Sequence, residues 1–440
     1  MKKLLLNCIL IIINIIGILN IIVLPFKIEQ KRKENTDDEN EYFIYTNLEI
    51  GEPPQKINCE LNIDISDFFI TYNPLNVQPT YNNSLSKSFI KTSNNKISSS
   101  GFDDGYWALE NFYCYTDLNY QNKIKIESLS IVFPSEENKL SACEIGLKTS
   151  QSYGKYQNFF YSLKTKQIIN NVIWTLNFKN LNEGILAIGS APHEYDKTYK
   201  ESELKYTNTF SDDDKLYWNL YYDYDPVNNN YTMSQNIKVK MSPKTLGIIA
   251  MYNYLNAIEE IFFQKYYDNN ICEKTIISLE NKYYFKIICY KEVFTEEDIK
   301  QFPPLYLYNM FFNYLFVLDG KELFIVDNYD KYEFQILIEI GSTKTEWKLG
   351  RIFLSKYQII FDDDNGLIGF YTPSSKIEVI DNNKNNNFFI KILIISLSVL
   401  LLLFIIFLIN KKLKFFNKRK TFANELEDNF MYVPGRNNKN

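Results

Sequence analysis

Histidine is almost missing: the 440-residue chain has one, His193. Mechanisms that pair a Ser or Cys nucleophile with an imidazole, and zinc sites built from several imidazoles, have a single residue to draw on. His193 stands in Ala191-Pro192-His193-Glu194, a turn-like stretch, and reads as an exposed loop residue. Cysteine is also sparse, at 6. Cys8 lies in an N-terminal apolar run, and Cys59, Cys114, Cys143, Cys272 and Cys289 form no C-x-x-C pair, which excludes zinc ribbons and thioredoxin-type motifs. In an oxidising compartment these five close at most two disulfides. A net charge of −5 leaves no general basic surface, so nucleic acid is not an expected partner. No pattern asks for a metal or an organic cofactor.

Aromatic residues are plentiful, with 34 Tyr and 33 Phe, a composition that suits sheets better than helical bundles. From about residue 40 to residue 373, short apolar alternations are separated by Asn, Asp, Gly and Pro. Residues 42–50 and 216–222 are two of them, and such runs predict strands. Residues 252–267 carry the clearest helical pattern, with Leu255, Ile258, Ile261 and Phe262 on one face. No short-period repeat is visible. The body is expected to be mostly β, as packed sheets or two β lobes.

Both ends are apolar. Met1-Lys2-Lys3 precedes a run from Leu4 to Leu24, so residues 1–25 read as a signal peptide or a signal anchor. Near the other end, residues 392–409 form an apolar run that as a helix would span roughly 27 Å, close to the thickness of a bilayer core. Lys411, Lys412, Lys414, Lys418, Arg419 and Lys420 follow it, as on the cytoplasmic side of a membrane span. The expected topology is type I: a lumenal or extracellular body, a linker at 374–391, a transmembrane helix at 392–409 and a cytoplasmic tail at 410–440. Acceptor sequons at Asn82 and Asn230 suit a body in the secretory pathway.

Several stretches, in order, resemble the pepsin-like aspartic protease family. Ile50-Gly51-Glu52-Pro53-Pro54-Gln55-Lys56 is similar to its I-G-T-P-P-Q-K strand-turn, and Trp347-Lys348-Leu349-Gly350-Arg351-Ile352-Phe353-Leu354 to its W-x-L-G-D-x-F-L. Phe361-Asp362 and Gly369-Phe370 continue that match, while Glu183-Gly184-Ile185-Leu186-Ala187-Ile188-Gly189, Tyr217-Trp218 and Gln301-Phe302-Pro303-Pro304 add weaker ones. The resemblance implies a bilobal, mostly β fold with an N-terminal lobe at 42–195 and a C-terminal lobe at 196–373. It also implies a Cys272–Cys289 disulfide in the second lobe; Cys59, Cys114 and Cys143 match no pairing of the family.

The family's chemistry uses one D-T-G or D-S-G loop from each lobe. The two carboxylates share one proton, so that one acts as base on a water while the other donates to the substrate carbonyl. Counting forward from Pro53-Pro54-Gln55, the first aspartate position falls on Asn62 and the glycine position on Asp64. In Val239-Lys240-Met241-Ser242-Pro243-Lys244-Thr245-Leu246, the best match to the second loop, Met241 stands for the aspartate and Pro243 for the glycine. Neither Asn62 nor Met241 can exchange a proton near neutral pH. A slipped alignment makes Asp64 the acid instead. Phe102 or Tyr106 is the candidate for the flap tyrosine, and Arg351 replaces an acidic residue of the closing motif. Three expectations follow: a pseudoprotease that binds extended peptides or partner proteins; a membrane-anchored aspartic endopeptidase that recruits Asp64 and another acid; or a surface interaction protein with a vestigial cleft.

Overall fold

The alternation over residues 42–50 is realised as the ten-residue strand Glu41–Ile50, with Ile44, Leu48 and Ile50 packed inward. The computed structural model of the chain describes residues 21–31, 41–65, 67–70, 81–93, 105–134, 143–148, 158–209, 211–212, 215–216, 218–224, 235–279, 282–327, 329–341 and 346–372. The chain divides into residues 1–377 and residues 378–440, and the second unit lies outside the described residues, as do residues 1–20. The expected membrane span, linker and tail, the sequon at Asn230 and the flap candidate Phe102 fall in those undescribed stretches. Among the described residues no helix is long and apolar enough to cross a membrane.

Two large sheets make the body, one of 13 strands and one of 11 among the described residues. The first runs Leu204–Asn208, Leu367–Tyr371, Ile359–Asp362, Ile173–Asn180, Glu183–Ile188, Ile22–Lys31, Glu41–Ile50, Gln55–Asn62, Cys143–Gly146, Phe68–Ile70, Lys123–Pro134, Gly105–Tyr115, Ile90–Ser93. The second is built from strands between Asn219 and Leu349. The architecture is the mostly β, two-lobed one expected, with two boundary corrections.

The first lobe begins earlier than residue 42. Strand Ile22–Lys31 pairs on one side with Glu183–Ile188 and on the other with Glu41–Ile50. Ile22, Val23 and Leu24 are fully or almost fully buried there, so part of the 1–25 stretch supplies sheet core. A run of Ile, Val and Leu is ambiguous between a leader and a doubly buried strand until its partners are known. The second correction concerns the end of the body. Strands Ile359–Asp362, Leu367–Tyr371 and Leu204–Asn208, expected in the second lobe, extend the first sheet: the first of them pairs with Ile173–Asn180, and the other two follow it in turn. Trp174 and Phe361 stack there at 4.0 Å with rings 13° apart, and Gln358 Nε2 donates to Thr175 Oγ1 at 2.8 Å.

The expected helix over 252–267 is interrupted. Tyr252–Ile258 and Gln264–Asp268 flank a wider π-turn, Glu259–Phe263. The extra residue rotates the following positions, so Ile261 is 45% exposed while Phe262 and Phe263 go inside. His193 is not a free loop residue either. It lies on the short helix Pro192–Tyr195, where its backbone N–H donates to the Tyr371 hydroxyl (3.0 Å) and its Nδ1 lies 2.5 Å from the same oxygen.

Cys272 and Cys289 are bonded as expected, facing partners on a hairpin. Cys59 bonds Cys143, tying two parallel strands together across 84 residues of sequence. Cys114 is left free and 1% exposed, and burial pushes its thiol up to about 12. A thiol so rarely ionised and so enclosed is a poor nucleophile. Alkylation of the native protein, read by peptide mass spectrometry, should leave the Cys114 peptide unmodified, with labelling appearing only on denaturation; rapid native labelling would contradict this packing.

Candidate functional site

The two loops that face each other at the lobe boundary are wired alike. In the first lobe, Gln55–Asn62 runs parallel to Cys143–Gly146, which is antiparallel to Phe68–Ile70, which is parallel to Lys123–Pro134. In the second, Gln235–Met241 runs parallel to Glu346–Leu349, which is antiparallel to Ile248–Ala250, which is parallel to Ile336–Glu339. The sheet thus reveals an internal duplication that no short sequence period displays.

Register fixes the equivalent positions. Leu61 pairs with Ile145 and Asn62 with Gly146. Met241 pairs with Leu349, so Ser242 falls abreast of Gly350, and its N–H donates to Leu349 O at 2.8 Å. Met241 is fully buried, like Leu61. The structural counterpart of Asn62 is therefore Ser242, not the expected Met241, and the counterpart of Asp64 is Lys244 rather than Pro243. An ungapped match of a weak motif cannot sense a one-residue offset, whereas the pairing with Leu349-Gly350 can.

Asn62 is committed to shaping its loop. Its Oδ1 accepts the N–H of Asp64 (3.0 Å), and its Nδ2 donates to Glu144 Oε2 (3.0 Å). The N–H of Leu147 donates to Asn62 O at 2.8 Å, and that of Gly146 to Asp67 O at 2.9 Å. An Asn end-stopping a strand through an Asx turn is ordinary chemistry, and its amide supplies both a donor and an acceptor where an ionised carboxylate would only accept. The second loop closes over Gly350, where an added Cβ would lie 2.1 Å from Gly247 O and 2.3 Å from Thr245 O. The N–H groups of Arg351 (2.9 Å) and Ile352 (3.1 Å) donate to Thr245 O and Leu246 O. The Ser242 and Thr245 hydroxyls share a hydrogen bond of 2.9 Å.

Between the loops stands a crossed pair of ion pairs. Two residues before Asn62 and Ser242 come Glu60 and Lys240; two residues after come Asp64 and Lys244. Lys240 Nζ bonds Asp64 Oδ1, and Lys244 Nζ bonds Glu60 Oε1. Each residue before the loop of one lobe thus binds the residue after the loop of the other. All the acids lie on the first lobe and both lysines on the second. Glu60 is 2% exposed. Burial works against the Lys244 ammonium, but the carboxylates of Glu60, Glu144 and Asp64 outweigh it and hold its pKa above the ordinary lysine value. The Asp64 side chain is half exposed.

This arrangement does not present the pair of facing carboxylates that the acid–base hydrolysis of a peptide uses. An amide and a hydroxyl stand at the paired positions, and residues 242–247 carry no carboxyl group. The fallback acid Asp64 faces an ammonium instead of a second acid, so no proton is shared between carboxylates. Neither loop keeps the glycine whose open backbone lets N–H groups approach the acids.

Of the other described sequence candidates, Tyr106 and Asn82 take no part in these loops, whereas Arg351 touches the second one through its backbone N–H. Tyr106 stacks on Phe133 (5.4 Å, 10°) beneath the Lys91 ammonium (4.2 Å), so it packs as a hairpin core residue. Arg351 is fully buried, its Nη1 donating to Leu181 O (2.8 Å) and its guanidinium lying 4.5 Å from the Tyr42 ring; it joins a second-lobe helix to a first-lobe turn. Burial lowers its pKa to about 10. Asn82 is exposed, and its Oδ1 accepts the N–H and hydroxyl of Ser84. Lys240, Lys244, Glu60 and Glu144 were missed from sequence. The only available signal was the charge alternation around the two loop matches.

The fold is shared with solved structures, among them the crystal structure of basic 7S globulin from soybean, over 80% of this chain and 95% of that one, with a TM-score of 0.56 and 12% identity. At that identity the likeness is one of fold alone: mostly β, bilobal and pepsin-like. No family model and no curated protein matches the chain.

Proposed function

We propose that this chain is a non-catalytic body on the pepsin-like fold, a pseudoprotease that binds an extended peptide or a partner protein along its lobe boundary. The observation that carries this reading is the crossed ion pairing of Glu60, Asp64, Lys240 and Lys244 around Asn62 and Ser242. A cavity of about 70 Å³ beside it, lined in part by Tyr42, Lys244, Lys286 and Glu333, is too small for a peptide. A ligand seated between the loops would part the lysines from their carboxylates, which favours one that brings carboxylates of its own. The apolar run at 392–409 and the basic cluster after it support attachment to a membrane of the secretory pathway, with the body lumenal or extracellular. Two disulfides suit the same side.

Incubation with a peptide library from pH 3 to pH 7 should give no cleavage. Installing acids at both paired positions, Asn62→Asp with Ser242→Asp, should also give none, because the ion-paired Asp64 and Lys244 still occupy the places of the two glycines. Cleavage that an aspartic-protease transition-state mimic blocks and Asp64→Ala abolishes would sink this reading in favour of a recruited-acid endopeptidase. Capture of acidic peptides that weakens in Lys240→Ala supports cleft binding, and a complete lack of peptide capture favours a vestigial cleft.

A further inference from the structure

The first sheet carries a groove of about 730 Å³, none of whose lining residues belongs to the paired loops. Across its floor Asn47 lies opposite Asn58, and Asn177 opposite Ile185, which in turn lies opposite Pro25. The three side-chain carboxamides line the groove, and none is hydrogen-bonded to another described residue. One wall is the loop 116–122, and Asp117 builds it. Its carboxylate accepts the N–H groups of Asn119 (2.8 Å), Gln121 (3.2 Å) and Asn122 (2.5 Å), while the Thr116 N–H donates to Asn122 O (2.9 Å). Those backbone donors hold the Asp117 carboxyl below the usual range.

The loop so organised places Tyr120 over the groove. Tyr120 is 39% exposed, has φ of 56° and sets its ring edge-on to Tyr115 at 5.5 Å. A bulky residue held in the left-handed region is strained, and such outliers gather where a side chain must be aimed. Beside it the ion pair Lys179–Glu183 (3.0 Å) sits at a β-bulge between Glu183 and Gly184, a device that re-aims side chains.

The chemistry on offer is narrow. The four charged side chains of the groove balance, Lys27 and Lys179 against Glu29 and Glu183, so there is no net attraction for an ion. The floor strands are interior to the sheet and paired on both sides, so no edge is open for an added peptide strand. What remains are three carboxamides, each offering two donors and one acceptor oxygen, and an aromatic ring that can lie against C–H groups. Paired neutral donors and acceptors beside such a ring match the vicinal hydroxyls and apolar faces of a sugar. The volume falls within the range of small-ligand sites, about 300–1,000 Å³. The geometry points to a carbohydrate site: a neutral oligosaccharide, free or carried on a glycoprotein, held by Asn47, Asn58 and Asn177 beneath the Tyr120 ring. This site stands whether or not the lobe boundary binds a peptide.

The test is calorimetric titration of the detergent-solubilised full chain with maltotriose, cellotriose, chitotriose and mannotriose, with 3′-sialyllactose as the anionic control. A high-mannose glycoprotein and its enzymatically deglycosylated form separate the two sources. At least one neutral probe, or the glycosylated protein alone, should bind. Asn177→Ala and Tyr120→Ala should each weaken that binding at least about tenfold, with Tyr120→Phe close to wild type and the thermal midpoints unchanged. If a variant misfolds, hydrogen exchange of the wild type decides, since bound saccharide should slow amide exchange in residues 116–122. No binding by any neutral probe at millimolar concentration, equal binding of the anionic control, or affinity unchanged in both alanine variants would overturn the site.

Discussion

Lys244→Met should destabilise the protein by about 3–5 kcal/mol at pH 7, the range for removing one partner of a buried ion pair. Glu60 is 2% exposed and its side chain is held by Lys244 from the other lobe. Without the ammonium, a carboxylate stays out of water with the Glu144 carboxyl nearby, at its own register position on the neighbouring strand. The double variant Glu60→Gln with Lys244→Met removes both charges and should recover much of the loss, so the cycle gives a coupling of more than about 1 kcal/mol. Lys240→Met is the internal contrast. Its partner Asp64 is half exposed, so water replaces the lost contact and the cost should stay below about 1 kcal/mol. Urea unfolding of five proteins, wild type, Lys244→Met, Glu60→Gln, their double variant and Lys240→Met, measures all of this. A loss under 1 kcal/mol for Lys244→Met, or equal losses for the two lysines, would contradict the burial of the inner pair. The raised pKa of Lys244 gives the pH sense: its contribution is complete below the ordinary lysine value and is lost only as pH rises through the higher folded value.

The second large effect is expected from Asp363→Asn. Asp363 is 8% exposed between Asp362 and Asp364, and its Oδ2 has no hydrogen-bond partner among the described residues. Burial first, then the carboxylates of Asp364 and Asp362, raise its pKa from 3.8 to about 7. Asp364 is served by Lys164 (2.7 Å) and the Val172 N–H (2.8 Å), and Asp362 by Asn365 (2.8 Å to its side chain), so the middle acid is the one left to hold a proton. With the folded value above the unfolded one, its contribution is intact below about pH 4, declines from about pH 4 to about pH 7, and is gone above. Three units at 1.36 kcal/mol each set an upper limit of about 4 kcal/mol. Asp363→Asn carries no charge at any pH and should flatten that decline, so its advantage over wild type grows by up to about 4 kcal/mol between pH 4 and pH 8. Parallel stability-against-pH curves for the two proteins would refute a buried, protonated Asp363.

Much of the candidate site was legible because it rests on local pattern. The count from Pro53-Pro54-Gln55 lands on Asn62, which the structure places at a strand end opposite Gly146. The second loop was misplaced by one residue, to Met241, since only its pairing with Leu349, 108 positions away (349 − 241), sets the register. The same limit explains Cys59–Cys143, bridged between strands 84 residues apart, against Cys272–Cys289 on a single hairpin. It explains strand Ile22–Lys31 too, whose apolar start reads equally as a leader until its two neighbours are seen.

Composition and periodicity determined that this chain is rich in strands and has no imidazole chemistry to spare, and the resemblance in its motifs implied the lack of an acid at the first loop position. The tertiary structure alone decided that the acids which do lie near that loop, Glu60 and Asp64, face Lys244 and Lys240 across the lobe boundary. The reason is range: side-chain alternation is fixed within a strand by its two-residue period, whereas the charge an acid meets depends on which distant strand the fold brings beside it.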